Sequence, residues 1–139
     1  MGWMTNEAGL DKCQANYVPL TPLSHLQRAA SVFADQTAVV YGEHRASYRQ
    51  YHARVSQLAS ALAGIGVEPG QVVATLIPNI TAQIESSFGV PACGAVLNTI
   101  NTRLDPDTIA YTGAFLPQGF YQRPYSSDLL IKVVFRENG

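Results

Sequence analysis

The run Val72-Val73-Ala74-Thr75-Leu76-Ile77 carries no charge and one hydroxyl, and Pro78-Asn79 stops it. A run so short and so apolar reads as a strand buried on both faces, which needs covering layers and neighbouring strands. Just upstream, Tyr48, Tyr51, Val55, Leu58 and Leu62 recur at steps of three, four, three and four. That spacing puts one apolar stripe on one face of an α-helix. Ser47 precedes the stripe and Gln50 lies three residues on, the pattern of a capping box, in which loss of the Ser hydroxyl costs about 1 kcal/mol. Gly64 and Gly66 are expected to end the helix through the left-handed conformation. Glu68-Pro69-Gly70 then turns the chain into the strand. Helix, turn and buried strand form half of an α/β layer, and the other half has to come from elsewhere in the chain.

At 139 residues the chain has room for one domain. A formal net charge of -1 gives no basic field for nucleic acid and no acidic tail. Cys13 and Cys93 are far apart and belong to no C-x-x-C pattern, so both are expected to be reduced thiols. Asp11, Lys12, Gln14 and Asn16 interrupt any apolar signal segment near the start. The longest apolar run, Phe88 to Leu97, has about half the length of a bilayer span and contains Pro91. No membrane anchor, no nucleic-acid partner and a cytoplasmic location are therefore expected.

Residues 1–20 read as an extended N-terminal arm. Thr21-Pro22 is an N-cap followed by proline at the first helical position, with Leu23, Leu26, Ala30 and Phe33 as the stripe that follows. Thr37 to Tyr41, a turn at Gly42-Glu43-His44 and Arg45 to Ser47 read as a short hairpin. After Asn79, which can cap, Ile80 to about Val90 reads as a helix ended by Pro91 and Gly94. Ala95-Val96-Leu97 is a short strand, and Asn98 to Leu104 a polar loop. Asp105-Pro106 opens a further helix through Ile109 and Tyr111. Beyond Tyr111 the composition shifts: alanine recurs only at Ala114, and Pro117, Gly119 and Pro124 forbid a continuous helix. Leu129 to Phe135 could pair as a strand but alternates poorly.

Several stretches together resemble the adenylate-forming acyl-CoA synthetases of the AMP-binding ligase superfamily. Ser47-Tyr48-Arg49-Gln50-Tyr51 stands where the family has T-Y-x-E-L, and Leu62 to Asn79 follows L-x-x-x-G-V-x-x-G-D-x-V-A-x-x-x-P-N, with Gln71 in place of the Asp. Phe88 to Leu104 is similar to F-G-V-P-x-A-G-A-V-L-N-x-x-N-x-R-L. The run Leu10 to Leu23 looks like the opening of enzymes that use short, medium or aromatic acids. The resemblance implies an α/β fold, an incomplete part of the family's N-terminal subdomain, with a short hairpin and helices packed on a partial sheet. It divides the chain into the arm 1–20, a partial subdomain 21–111, and a tail 112–139 that does not match and reads either as frameshifted or as a genuine divergent end.

The family's chemistry needs a Thr/Ser/Gly loop for the ATP phosphates, a carboxylate to place Mg²⁺ and a lysine at the α-phosphate. The loop T-S-G-T-T-G-x-P-K-G is absent, and the lysines are Lys12 in the arm and Lys132 in the tail. No catalytic, cofactor-binding or metal residue is therefore assigned in this chain. ATP, Mg²⁺ and CoA, and a carboxylic acid substrate, are implied only for the full-length family. The residues with chemistry to offer have ordinary readings. His25, His44 and His52 lack ligand spacing. Ser56 and Ser60 have no base in register. Gly64, Gly66 and Gly70 close a helix, where a dinucleotide fingerprint would open one. Asn79-Ile80-Thr81 is a glycosylation sequon by letters only. Tyr48 and Tyr51 share the helix's apolar face. Asn98, Asn101 and Arg103 could line a route to the acyl or CoA site of a whole enzyme, or could satisfy their own loop and a neighbouring carboxylate.

By resemblance, then, this is a truncated N-terminal segment of an ATP-dependent acyl-CoA ligase of fatty acid metabolism, inactive on its own. The alternative is a non-catalytic binding or regulatory module, able to dock onto a full-length ligase, or a gene remnant.

Overall fold

A computed structural model describes residues 11–13, 17–114, 121–124 and 130–134. Most of the expected arm lies outside the described residues, as do 115–120, 125–129 and 135–139 of the expected tail. Helix α1 (Pro22–Val32) starts at Thr21, whose hydroxyl accepts from Ser24 N–H while Ser24 Oγ accepts from Thr21 N–H, both at 3.2 Å. Strands β1 (Thr37–Tyr41) and β2 (His44–Ser47) form the expected antiparallel hairpin, with Ala38 bulged out of the register.

Helix α2 (Tyr48–Gly64) carries the capping box read from the sequence: Gln50 N–H donates to Ser47 Oγ at 3.3 Å and Ser47 N–H to Gln50 Oε1 at 2.9 Å. Its next two orphan donors are met by the loop after α1. Tyr48 N–H reaches Gln36 O and Arg49 N–H reaches Ala34 O, each at 3.0 Å. That loop is thus tied to the start of α2, which fixes how α1 lies on it.

The end of α2 corrects the reading of Gly64. Gly64 is helical, Ile65 is the C-cap, and Gly66 alone turns left-handed, at φ 92°. Val67 N–H bonds Leu62 O and Gly66 N–H bonds Ala63 O, each at 3.0 Å, which is a Schellman motif. Its closing contact is Leu62 with Val67, both buried in one core cluster. Helix α3 (Thr81–Ala92) ends the same way: Gly94 has φ 83° and its N–H bonds Pro91 O, while Ala95 N–H bonds Val90 O. Pro91 therefore does not stop the helix but sits inside its last turn. Asn79 is not the cap either. Ile80 holds that position, with no side-chain cap bond.

Strand β3 (Val72–Leu76) pairs in parallel with β4 (Val96–Thr99), which takes in Asn98 and Thr99 that the sequence had placed in a loop. Helix α4 (Pro106–Ala114) follows, and then β5 (Tyr121–Pro124) and β6 (Leu130–Val134). The sheet order is β4-β3-β6-β5, with β6 antiparallel to both neighbours. The missing half of the layer thus comes from two downstream stretches: β4 on one edge of β3, and β6, within the poorly alternating stretch, on the other.

The stripe on α2 serves two cores. Leu62 packs with Val67, Val73, Val90 and Ala95, with Leu58 beside them. Tyr51 and Val55 pack with Leu26, Val39 and Ala46, joined by Tyr48 and Phe88. Val73 and Ala74 are fully buried and Thr75 is 1% exposed, as a strand covered on both faces requires. Gln71, the departure from the family's Asp, is also buried, and its Oε1 accepts Glu68 N–H at 2.7 Å across the turn.

Candidate functional site

In an α/β sheet the place for a ligand is the crevice beyond the carboxyl ends of parallel strands. Here β3 and β4 end side by side. Between them and the start of α3 lies an open crevice of roughly 650 Å³, lined by Ile77, Pro78, Asn79, Gln83 and the residues from Thr99 to Arg103. Thr75, buried at the end of β3, donates its hydroxyl to Gln83 Oε1 at 3.3 Å and accepts Ile100 N–H on its carbonyl at 2.8 Å. These bonds fix the floor of the crevice and aim the strand ends.

Asn101 and Arg103 are brought together here. Asn101 Oδ1 accepts Arg103 N–H at 2.9 Å, a local turn that commits the amide to its own loop. Arg103 is exposed and has no ion-pair partner among the described residues, so the expected neighbouring carboxylate is not what holds it. Asn98 lies apart, in β4 opposite Ala74. Asp105 caps α4 as read, its Oδ1 accepting Thr108 N–H at 2.9 Å and its Oδ2 accepting the Thr108 hydroxyl at 2.6 Å. The hydroxyl first, and then the N–H, hold the Asp105 carboxyl below the usual carboxylate range.

A second, larger groove of roughly 1040 Å³ runs between β2, α2 and the start of α3, past Arg45, Gln50, Arg54, Pro78, Ile80 and Glu85. Several of its polar groups are engaged with one another or with the backbone. Arg54 Nε and Nη2 donate to the two Glu85 oxygens, Tyr51 donates its hydroxyl to Ile84 O at 2.9 Å, and Arg45 Nη1 donates to Gly42 O and His44 O. Burial first, and then the Glu85 charge, push the Tyr51 phenol well above its ordinary pKa. Sequence reasoning missed Gln83, Arg54 and Glu85. Gln83 could have been found from its place in the first turn after the β3 end; Arg54 and Glu85 lie 31 residues apart and carry no local signal.

The remaining candidates scatter. His25 and His44 are exposed on α1 and β2, and His52 is half-buried on α2. Ser56 donates back to His52 O at 2.9 Å. Neither Cys13 nor Cys93 is in a disulfide, and Cys93 donates its thiol to Val90 O at 3.1 Å. Among the described residues no group of three or more His, Cys, Asp or Glu could hold a metal ion, and no helix is long and apolar enough to cross a membrane. The crevice at the strand ends has no carboxylate among its described lining residues, and Arg103 is the one cation there.

A hairpin, packed helices and a parallel β3–α3–β4 unit are the architecture of the N-terminal subdomain of adenylate-forming ligases. A protein from Rhodopseudomonas palustris assigned as a long-chain-fatty-acid CoA ligase superposes with a TM-score of 0.64 and 38% identity, over 66% of this chain and 23% of that one. The anthranilate CoA ligase solved with anthranoyl-AMP gives 0.63 and 28% identity, over 72% and 20%. The chain belongs to the AMP-binding enzyme family, whose model matches residues 26–113. In sequence it is similar to the peroxisomal trans-cinnamate:CoA ligase of Petunia hybrida, 50% identical over 101 residues, and to the peroxisomal acetate/butyrate–CoA ligase of Arabidopsis thaliana, 48% identical over 102. Each match takes in 73% of this chain but 18% of the relative, so the chain spans about a fifth of the length of these ligases.

Proposed function

We propose that the whole protein to which this segment belongs in function is an ATP-dependent acid–CoA ligase. It joins a carboxylic acid to AMP with release of pyrophosphate, and then passes the acyl group to the thiol of CoA. The observation that carries this reading is membership of the AMP-binding enzyme family with 50% identity to a CoA ligase. Relatives named for cinnamate, acetate or butyrate, and benzoate support our reading of the acid as short, medium or aromatic, and we read the activity as part of fatty acid metabolism. ATP, Mg²⁺ and CoA are then held by other parts of a whole ligase.

In this reading the 139-residue chain alone is inactive, because it lacks the Thr/Ser/Gly phosphate loop and a lysine within the family match. Residues 112–139 are read as a frameshifted tail. Incubation with ATP, Mg²⁺, CoA and cinnamate, butyrate or benzoate should give no AMP above a no-protein blank; acid-dependent AMP sinks the claim of inactivity. Reading the coding DNA from codon 105 onward in all three frames tests the rest. A frame that continues into a strand and the phosphate loop supports the ligase and the shifted tail, whereas no such frame removes the tail reading. We also assign the chain to the cytoplasm; a fluorescent fusion that co-localises with a peroxisomal marker, as the relatives' names would suggest, overturns that assignment.

A docking role on a full-length ligase is the second reading. The edge of β4 is open in the described sheet and Val96 is 54% exposed on it. Failure of the purified chain to bind a full-length relative in a titration followed by light scattering sinks it.

A further inference from the structure

Strand β3 has no charge to guard its edges, and the backbone N–H and C=O groups on both edges need partners. One edge belongs to β4: the carbonyls of Gln71 and Thr75 accept Val96 N–H and Ile100 N–H, each at 2.8 Å. Successive residues of a strand point their backbone groups to opposite edges. Gln71, Val73 and Thr75 therefore address β4, and Val72, Ala74 and Leu76 address the other side.

Among the described residues that the family model matches, nothing pairs with that second edge. Its partner is β6, which stands antiparallel and in register along the whole of β3, from Val72 opposite Val134 to Leu76 opposite Leu130. β6 comes from beyond residue 113, outside the family match. Behind it stands β5, in register from Tyr121 opposite Val133 to Pro124 opposite Leu130. Among the described residues β5 is the new edge of the sheet, and it carries Arg123 and ends on Pro124. A charge and a residue without an N–H are the chemistry that natural sheets use to stop further pairing.

We propose that the β5–β6 pair is an intramolecular edge cap. It fills the flank of β3 that the family-matched segment leaves open and exchanges an unguarded edge for a guarded one. The segment is thereby closed at β3 against strands from other chains, including a second copy of itself.

The test is site-resolved amide exchange by NMR on the intact chain. The amides of Val72, Ala74 and Leu76 are expected to be slow alongside those of Val73 and Thr75, with a cross-strand contact between Ala74 and Lys132. Fast exchange at the first three beside slow exchange at the other two overturns the cap. Lys132→Pro removes the donor opposite Ala74 and should speed exchange at Val72, Ala74 and Leu76 by about tenfold or more, with less effect at Val73 and Thr75. Unchanged exchange at Ala74 overturns the proposal. If that variant unfolds, the intact-chain measurement decides alone.

Discussion

Arg54 on α2 and Glu85 on α3 meet through two parallel bonds, Nε to Oε1 at 2.9 Å and Nη2 to Oε2 at 3.0 Å. The two side chains are not equally buried: that of Glu85 is 10% exposed and that of Arg54 is 53% exposed. The fork–fork geometry therefore matters chiefly for what it does to the carboxylate, which would otherwise sit buried without a counter-charge. Arg54→Ala should cost about 1–2 kcal/mol in urea unfolding, more than an exposed pair and less than a fully buried one. Glu85→Gln should cost less, since the amide is neutral and the half-exposed guanidinium can turn to water. Equal losses from the two substitutions would contradict this asymmetry.

Tyr51 gives the fold a pH dependence on the alkaline side. Its phenol is pushed upward in the folded state, first by burial and then by Glu85. Below about pH 10 the phenol is protonated in both states and this contribution is fully present. Above that, the unfolded chain ionises while the folded one resists, so stability should fall as the pH rises. Tyr51→Phe should remove that alkaline fall while costing about 1 kcal/mol at neutral pH through the lost bond to Ile84 O. Thermal melts between pH 7 and 11 would show it, and parallel curves for the two proteins would refute it.

Gly89 lies directly under Leu58. A Cβ at residue 89 would come within 2.7 Å of Leu58 Cδ2 and 2.9 Å of its Cγ. Leu58 is half-buried, so it can yield only in part. Gly89→Ala should destabilise by about 1–3 kcal/mol through overpacking at the α2–α3 contact. The same change in a Leu58→Ala background should cost far less, and a cycle with no coupling would rule out this contact as the cause.

Ser47→Ala should lower stability by about 1 kcal/mol, because Gln50 N–H loses its acceptor at the start of α2. Ser47→Asp should keep most of it, since a carboxylate can accept the same N–H and favours a helix N-terminus. Chemical denaturation of the three proteins measures both, and a neutral Ser47→Ala would mean that the loop after α1 holds the helix start unaided.

Local chemistry was legible where the interacting atoms lie within a few residues. The Ser47–Gln50 box, the Asp105 cap, the hairpin and the buried strand could all be read because each is written in a short span. Reading went astray where two signals competed within such a span. Gly64 and Gly66 both fit a helix end, and only the bonds of Gly66 and Val67 to Ala63 and Leu62 select the second. Pro91 looked like a stop, yet a proline in a last turn forgoes one bond there, and Gly94 does the ending.

The sequence by itself determined the family, the order of helices and strands from Pro22 to α4, and the lack of a phosphate loop, because periodicity, caps and motifs are properties of neighbouring residues. Only the tertiary structure decided that Asn101 and Arg103 share a crevice with Gln83, that Arg54 clasps Glu85, and that β6 closes the second edge of β3. The physical reason is that pairing across a sheet or between helices depends on which backbone edge or buried charge lacks a partner, and that need is set by the whole packed chain.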